Sequence, residues 1–353
     1  MDAGMIWEWI IKAVVILLTM TAGFAYVTLY ERRALAKFQV RIGPNRAGPF
    51  GIGHPVADGI KLIFKEELVP DKADKLIFIL APVLTVIPAL IITAVVPWGG
   101  TINLFGRQVN LYLANINLGV LYLMAVTSIS VYGVALAGWS SNNKYAAMGG
   151  LRSTAQMISY EIAMGFAFIV PVMLAGSMSI VDIVNAQKDI WYALLNPASA
   201  LIFFISMLAE TNRAPFDMPE AEQELTAGYH TEYSGMKFAL FFMAEYIKMI
   251  AVSMIFASLF LGGYYLPFQG AIEGWLAGVP WLSWMLNVLP YIGPLVLFAK
   301  VVLILFVFIW MRATLPRIRY DRLMAFGWKI TFPLALLSAL VTAAVVLLAE
   351  GRF

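Results

Sequence analysis

The sequence predicts an all-α polytopic membrane protein, with about eight transmembrane helices and an interfacial amphipathic helix after the first span. Three observations predict it. The chain is 61% hydrophobic and 13% charged, whereas a soluble domain is nearer half apolar and a quarter charged. Its apolar residues gather in runs of the roughly 20 residues that a helix needs to cross the hydrocarbon core. Its Lys and Arg residues concentrate on alternate connections between those runs.

The spans are expected at about 8–30, 76–97, 118–138, 155–175, 191–210, 238–262, 292–312 and 328–349. The fifth has the most mixed start, around Trp191–Pro197. Residues 1–353 read as one membrane unit. The loop 31–75 carries Arg32, Arg33, Lys37, Arg41, Arg46, Lys61, Lys65, Lys72 and Lys75. The later loops on that side carry Lys144, Arg152, Arg213, Lys237, Arg312, Arg317, Arg319 and Arg322, while the opposite side holds only Arg107, Lys188 and Arg352. The positive-inside rule places the basic loops in the cytoplasm and both termini outside. The start MDAGMIWEW lacks a basic n-region and a small-residue cleavage site, so the first span is expected to be retained. The segment 263–291, rich in Trp, Tyr, Gly and Pro, suits the outer interface. No internal repeat of the transporter kind is visible.

Cysteine is absent, so the chain offers no thiolate for an iron–sulfur cluster or zinc site. The two histidines, His54 and His230, fall in polar loops and do not form a haem pair inside the bilayer. No phosphate-binding loop, dinucleotide fingerprint or metal-ligand spacing occurs. Any redox centre or nicotinamide site must therefore lie in another chain.

Three groups of residues carry candidate chemistry. The first is the inner loop ERRALAKFQVRIGPNRAGPFGIGHPVADGIKLIFKEE. Its Gly-Pro-Asn turn and spaced glycines hold it out of a helix until Pro55. From about 55 to 66, Val56, Ile60, Ile63 and Phe64 share one face, and Asp58, Lys61 and Lys65 lie on others, which is the pattern of an interfacial helix. Positive-inside anchoring and the wall of a lipid-accessible cavity both fit this stretch.

The second is the acidic run AETNRAPFDMPEAEQELTAGYHTEY. It places Glu210, Asp217, Glu220, Glu222, Glu224 and Glu232 between two apolar segments, where charge is expensive. Asp217 and Glu220 resemble a capping box for a short helix from about 218 to 227. Glu220 and Glu224 then share a face and repel, and carboxylates held close share a proton. A solvated acidic loop is the alternative.

The third group is ionisable residues inside spans. Glu161 and Glu245 are each expected roughly 10–12 Å deep from the cytoplasmic end, at 1.5 Å per residue. At equal depth they could meet inside the bundle, with Lys248 one turn from Glu245. Lys300 falls near the middle of the seventh span. Neutral pairing or snorkelling would serve these in-span charges, but glutamates snorkel poorly, which favours a buried proton relay.

Taken together, these residues resemble one family: the H subunit of bacterial proton-translocating NADH:quinone oxidoreductase, respiratory complex I, with its mitochondrially encoded counterpart, subunit 1. The matching stretches are ERRALAKFQVRIGPNRAGPFG, HPVADGIKLIFKEE, AGWSSNNKYAAMGGLRSTAQMISYEI, NRAPFDMPEAEQELTAGYHTEYSGMKFALFFMAEY and WMRATLPRIRYDRLM, in order along the whole chain.

The resemblance implies a component of the bacterial cytoplasmic membrane that forms a quinone-access chamber with two peripheral-arm subunits. Quinone is the shared substrate, and flavin and iron–sulfur clusters belong to partner subunits. Arg32, Arg33, Arg41, Arg46, Asp58, Gly59, Lys61 and Phe216 would border the chamber. Glu161, Glu210, Asp217, Glu220, Glu222, Glu224, Glu232, Glu245 and Lys248 would form the proton-coupling path. Some members carry a glutamate in the third span where this chain has Ser128, so a carboxylate path through that span does not carry over. The membrane subunit of an energy-converting hydrogenase shares the acidic loop, and a plain structural anchor is the third alternative.

Overall fold

A computed structural model describes residues 3–104, 106–218, 228–278 and 284–349. Helix α1 (Ala3–Phe38) has 36 residues and so runs about 54 Å, well past a hydrocarbon core of ~30 Å. Only 6% of its apolar window is buried, so it stands at the rim of the bundle. A turn follows, and then α2 (His54–Ile63), with Pro55 in its first turn, where a missing N–H costs nothing. Val56, Ile60, Ile63 and the following Phe64 are all exposed, between 52% and 85%. The apolar face of α2 thus points away from the rest of the chain.

Helix α3 (Lys75–Ile91) starts at Asp74, whose side chain caps the Ile77 N–H, and a 3₁₀ turn, Ile92–Ala94, continues it. A small antiparallel hairpin follows, β1 (Thr101–Leu104) with β2 (Arg107–Asn110), in which Thr101 faces Asn110. Thr101–Leu104 alternates polar and apolar residues, but four residues are the shortest run that carries such a signal. Helices α4 (Gly119–Ser140) and α5 (Lys144–Ala175) cross closely. A Cβ on Gly138 would sit 2.8 Å from the Ala146 carbonyl oxygen, and one on Gly150 would sit 3.1 Å from Gly138 Cα. Small residues there let the two backbones touch, as membrane helices require.

Two short helices, α6 (Ile180–Ala186) and α7 (Tyr192–Leu195), lead to α8 (Pro197–Glu210). The fifth expected span is therefore shorter than its apolar run. Pro197 cannot continue a preceding helix and biases Asn196 away from helical angles, so α8 has 14 residues and covers about 21 Å. Seven helices are long and apolar enough to cross a membrane among the described residues. Beyond the acidic run come α9 (Gly235–Phe260), α10 (Gln269–Ala277) and α11 (Trp284–Thr314). The final span is α12 (Tyr320–Phe326), a π turn (Gly327–Thr331) and α13 (Phe332–Ala349) without a break. The protein is an all-α, polytopic membrane protein.

Helices α5 and α9 form the spine. The first packs on α4, α8 and α13, and the second on α1, α3 and α11. Lipid is as apolar as leucine, so close packing and buried polar bonds hold such a bundle together. Phe203 of α8 stands edge-on to Phe168 of α5 at 5.0 Å and lies 5.4 Å from Phe260 of α9. The Tyr160 hydroxyl of α5 donates to the Leu323 carbonyl of α12 at 3.0 Å. Lys300 of α11 takes backbone partners rather than snorkelling. Its ammonium donates to the carbonyls of Leu261 (2.5 Å), Gly263 (2.8 Å) and Tyr265 (2.6 Å) and lies 4.7 Å from the Trp191 ring. It closes the C-terminal end of α9, where helical carbonyls lack partners.

Candidate functional site

The end of α8 brings unwound backbone into the bundle. Thr211, Asn212, Arg213, Phe216 and Met218 are all buried. Irregular backbone at such depth survives only when protein surrounds it and satisfies it. Gln156 of α5 does this, its amide donating to the carbonyls of Ala209 (2.9 Å) and Phe216 (2.7 Å). The Phe216 ring packs 5.5 Å from Tyr160.

This fixed backbone aims Arg213 at two carboxylates. Its Nε lies 2.8 Å from Glu245 Oε1 of α9, and its Nη1 lies 3.5 Å from Glu31 Oε1 of α1. Its guanidinium lies 4.3 Å from the Tyr246 ring centre. Glu31 also pairs with Arg312, from the end of α11, and accepts from the Tyr246 hydroxyl. Glu31, Arg213, Glu245 and Arg312 thus join α1, α9, α11 and the root of the acidic run.

Deeper in the bundle, Lys248 of α9 lies 3.9 Å from Glu210 Oε1, too far for a direct hydrogen bond. Neither Glu210 oxygen has a hydrogen-bond partner among the described residues. A void of about 10 Å³, lined by Thr127, Ser130, Glu210 and Lys248 among others, adjoins them. It has about the room of one water molecule. Glu161 of α5 is hydrogen-bonded by the Ser128 hydroxyl of α4, and its field reaches both Glu210 and Lys248.

Glu161 and Glu245 therefore do not meet as their equal depth suggested. Glu161 turns to α4, Glu245 turns to Arg213, and Lys248 lies between them against Glu210. Lys248 pairs across to α8 rather than along its own helix with Glu245, although the field of Glu245 also reaches it. Among the described residues, four carboxylates (Glu31, Glu161, Glu210 and Glu245) meet three cations (Arg213, Lys248 and Arg312) in this interior network. Glu210 is buried with neither oxygen hydrogen-bonded among the described residues, and Glu161 has no cation within 4.0 Å among them.

A second, shallower cluster joins the end of α1 to α2. Arg32 donates to Asp58 Oδ2 (2.9 Å) and to His54 Nε2 (2.6 Å), and Lys61 donates to Asp58 Oδ1 (3.1 Å). Partial burial works against the Asp58 charge, but the Lys61 hydrogen bond and the charges of Arg32, His54 and Lys61 outweigh it, holding the carboxyl below its ordinary value of 3.8. Arg33 is half-buried, Arg46 is exposed, and Arg41 donates to Gln39 at 2.7 Å. Gly59 is exposed, with open space around it. Asp217 is half-buried, and Glu232 accepts from the Asn143 amide at 2.7 Å. Glu220, Glu222 and Glu224, with the body of the short helix expected at 218–227, lie outside the described residues.

His230 is not in a polar loop. It is 6% exposed and packed among Tyr229, Phe238, Phe241 and Phe242. Burial pushes its pKa down to about 3, so it is a neutral, aromatic plug at the end of the acidic run. Sequence reasoning also passed over Glu31 and Tyr246, and took Arg213 and Arg312 only as loop charges. For Glu31, Arg213 and Arg312 the signal was positional, since each lies where a span meets a basic loop; Tyr246, inside α9, left none.

A family model described as NADH dehydrogenase matches residues 11–343. An H subunit of NADH-quinone oxidoreductase from Protochlamydia amoebophila is 49% identical over 90% of this chain and 91% of its own length. An H subunit of the same oxidoreductase from Geobacter metallireducens is 49% identical over 92% of both chains. The NADH-quinone oxidoreductase subunit 8 of Thermus thermophilus is 48% identical over 97% of this chain and 88% of its own. With identity near one half along almost the whole length, the chain belongs to the NADH dehydrogenase family, among the H subunits of NADH-quinone oxidoreductase, respiratory complex I.

Proposed function

We propose that this protein forms the quinone-access chamber together with peripheral-arm subunits and couples quinone reduction to proton translocation through its interior charge network. The observation that carries the reading is the set of four carboxylates, two buried (Glu31 and Glu210) and two half-buried (Glu161 and Glu245), against three cations, assembled from five helices and the loop root. Such a network holds one proton in more than one place. A change of charge at one end shifts the preferred place at the other, which is a coupling between two sites. A structural anchor has no use for carboxylates inside the bundle.

In this reading the Arg32–His54–Asp58–Lys61 cluster and the exposed face of α2 border the chamber, with Arg33, Arg41, Arg46, Gly59 and Phe216 as further candidates. An apolar crevice of about 410 Å³ between α1, α9 and α11, lined by Tyr26, Tyr30, Met254 and Phe298 among others, suits the chain of an isoprenoid quinone. Glu210, Lys248, Glu161, Glu245, Asp217 and Glu232, with Glu220, Glu222 and Glu224 of the acidic run, pass the charge change toward the membrane arm. The quinone is a shared substrate, and flavin and iron–sulfur clusters sit in partner subunits. The chain lies in the bacterial cytoplasmic membrane as one unit, with both termini outside, by the distribution of its Lys and Arg residues.

Substituting Glu210→Gln and Glu245→Gln in turn tests this. Inhibitor-sensitive NADH:quinone turnover and proton pumping should fall at least tenfold in each, while ferricyanide reduction at the peripheral arm stays near wild type. Full coupled activity in both variants would defeat the reading.

A further inference from the structure

The Ser128 hydroxyl of α4 faces two acceptors. One is the Met124 carbonyl, one turn back, at 2.9 Å, and the other is the Glu161 carboxyl of α5. A serine hydroxyl has one proton to donate and two lone pairs to accept with. It can therefore serve both neighbours at once in only one way. When Glu161 carries a proton, its O–H donates to Ser128 Oγ, and the serine proton goes to the Met124 carbonyl. When Glu161 is ionised, the serine proton turns to the carboxylate and leaves Met124. No proton is gained or lost by the serine in either state.

We infer that Ser128 is a positioning residue that reports and supports both protonation states of Glu161 by rotating its hydroxyl. It gives the third span a two-position donor without adding a charge. The charge of Glu161 is felt at Glu210 of α8 and Lys248 of α9. Helices α4 and α13, which also pack on α5, contain no Asp, Glu, Lys or Arg, whereas the other elements packed on it carry Asp182 (α6), His230 (the turn Gly228–His230), Asp321 and Arg322 (α12) and Lys329 (the π turn). Among the described residues, the hydrogen-bond donor to Glu161 is the Ser128 hydroxyl. The role of this switch in coupling rests on the relay reading, but the switch itself does not.

The test uses the intact complex in native membranes, with Ser128→Ala, Ser128→Thr and Glu161→Gln. Infrared difference spectra identify the protonated carboxyl band of Glu161 as the one lost in Glu161→Gln. In Ser128→Ala that band should move to higher wavenumber, because its O–H loses its acceptor. Ser128→Thr, which keeps the hydroxyl, should restore the band position. An unchanged band in Ser128→Ala, or a Ser128→Thr spectrum that matches alanine, would overturn the inference. If the band shifts as expected while Glu161→Gln retains full coupled turnover, the switch stands and the relay reading loses Glu161.

Discussion

Arg213 offers the sharpest energetic test of the interior network. Its guanidinium faces Glu245 at 2.8 Å and Glu31 at 3.5 Å, and its side chain is 4% exposed. In Arg213→Met, Glu31 keeps Arg312, but Glu245 loses the guanidinium it pairs with. Removing one member of a buried pair costs about 3–5 kcal/mol, whereas replacing both members with apolar groups is often close to neutral. The double variant Arg213→Met, Glu245→Leu should therefore be more stable than the sum of the two singles predicts, by about 2 kcal/mol or more. At about 1.4 kcal/mol per factor of ten, that is roughly a thirtyfold difference in inactivation rate. The assay is the rate at which purified complex loses NADH:quinone activity in mild detergent at one temperature, for wild type, both singles and the double. Additivity within ~0.5 kcal/mol, about twofold in rate, would refute the pairing.

Other perturbations read other parts of the structure. His230 has its pKa depressed to about 3, so between that value and its ordinary 6.5 the unfolded chain binds more protons than the folded one. Stability should fall as pH drops from 6.5 toward 3, and His230→Phe should flatten that slope in heat-inactivation series at about pH 5 and 7.5. Asp58 is depressed below its ordinary value, so its contribution is present above about 3.8 and is lost as pH falls below it. A spin-label distance between α1 and α2 should lengthen there, and Asp58→Asn should lengthen it at neutral pH. A Cβ on Gly149 would lie 2.6 Å from Gly228 Cα. Gly149→Ala should cost about 1–3 kcal/mol through overpacking and shorten the inactivation half-life, whereas Gly59→Ala, which meets nothing within 4 Å, should leave it unchanged.

The fold class was legible because a bilayer imposes a length on apolar runs and a side on basic loops. Long helices such as α5 and α9 announce themselves in hydropathy alone. The shortness of α8 was also written in the sequence, at Pro197, but the apolar residues on both sides of that proline masked it. The hairpin of β1 and β2 left only the alternation in TINL, the shortest run that signals a strand. At the site, the carboxylates inside spans stood out because charge there is rare. Their partners did not, since which helix faces which is a tertiary fact. Glu31 looked like one more charge in ERR, and nothing in that triplet tells a buried glutamate from a solvated one. For Lys300 the sequence left pairing, snorkelling and a relay role open, and the bend after α9 supplies three carbonyls for it.

The Glu31–Arg312 pair joins residues 281 positions apart. A ribosome adds about 5–20 residues per second, so Arg312 emerges roughly 15–60 s after Glu31. Arg213, the other cation on Glu31, comes well after it too. During that interval α1 is made but its carboxylate has no counter-ion from these two arginines, and bare charge at a membrane boundary resists insertion. Glu31 must wait at the aqueous edge or hold a proton until the seventh span arrives. The last-made arginine therefore works as a receipt for a finished chain. Chains truncated before α11 should keep α1 loosely seated and open to the membrane's quality-control proteases, while complete chains lock it in place.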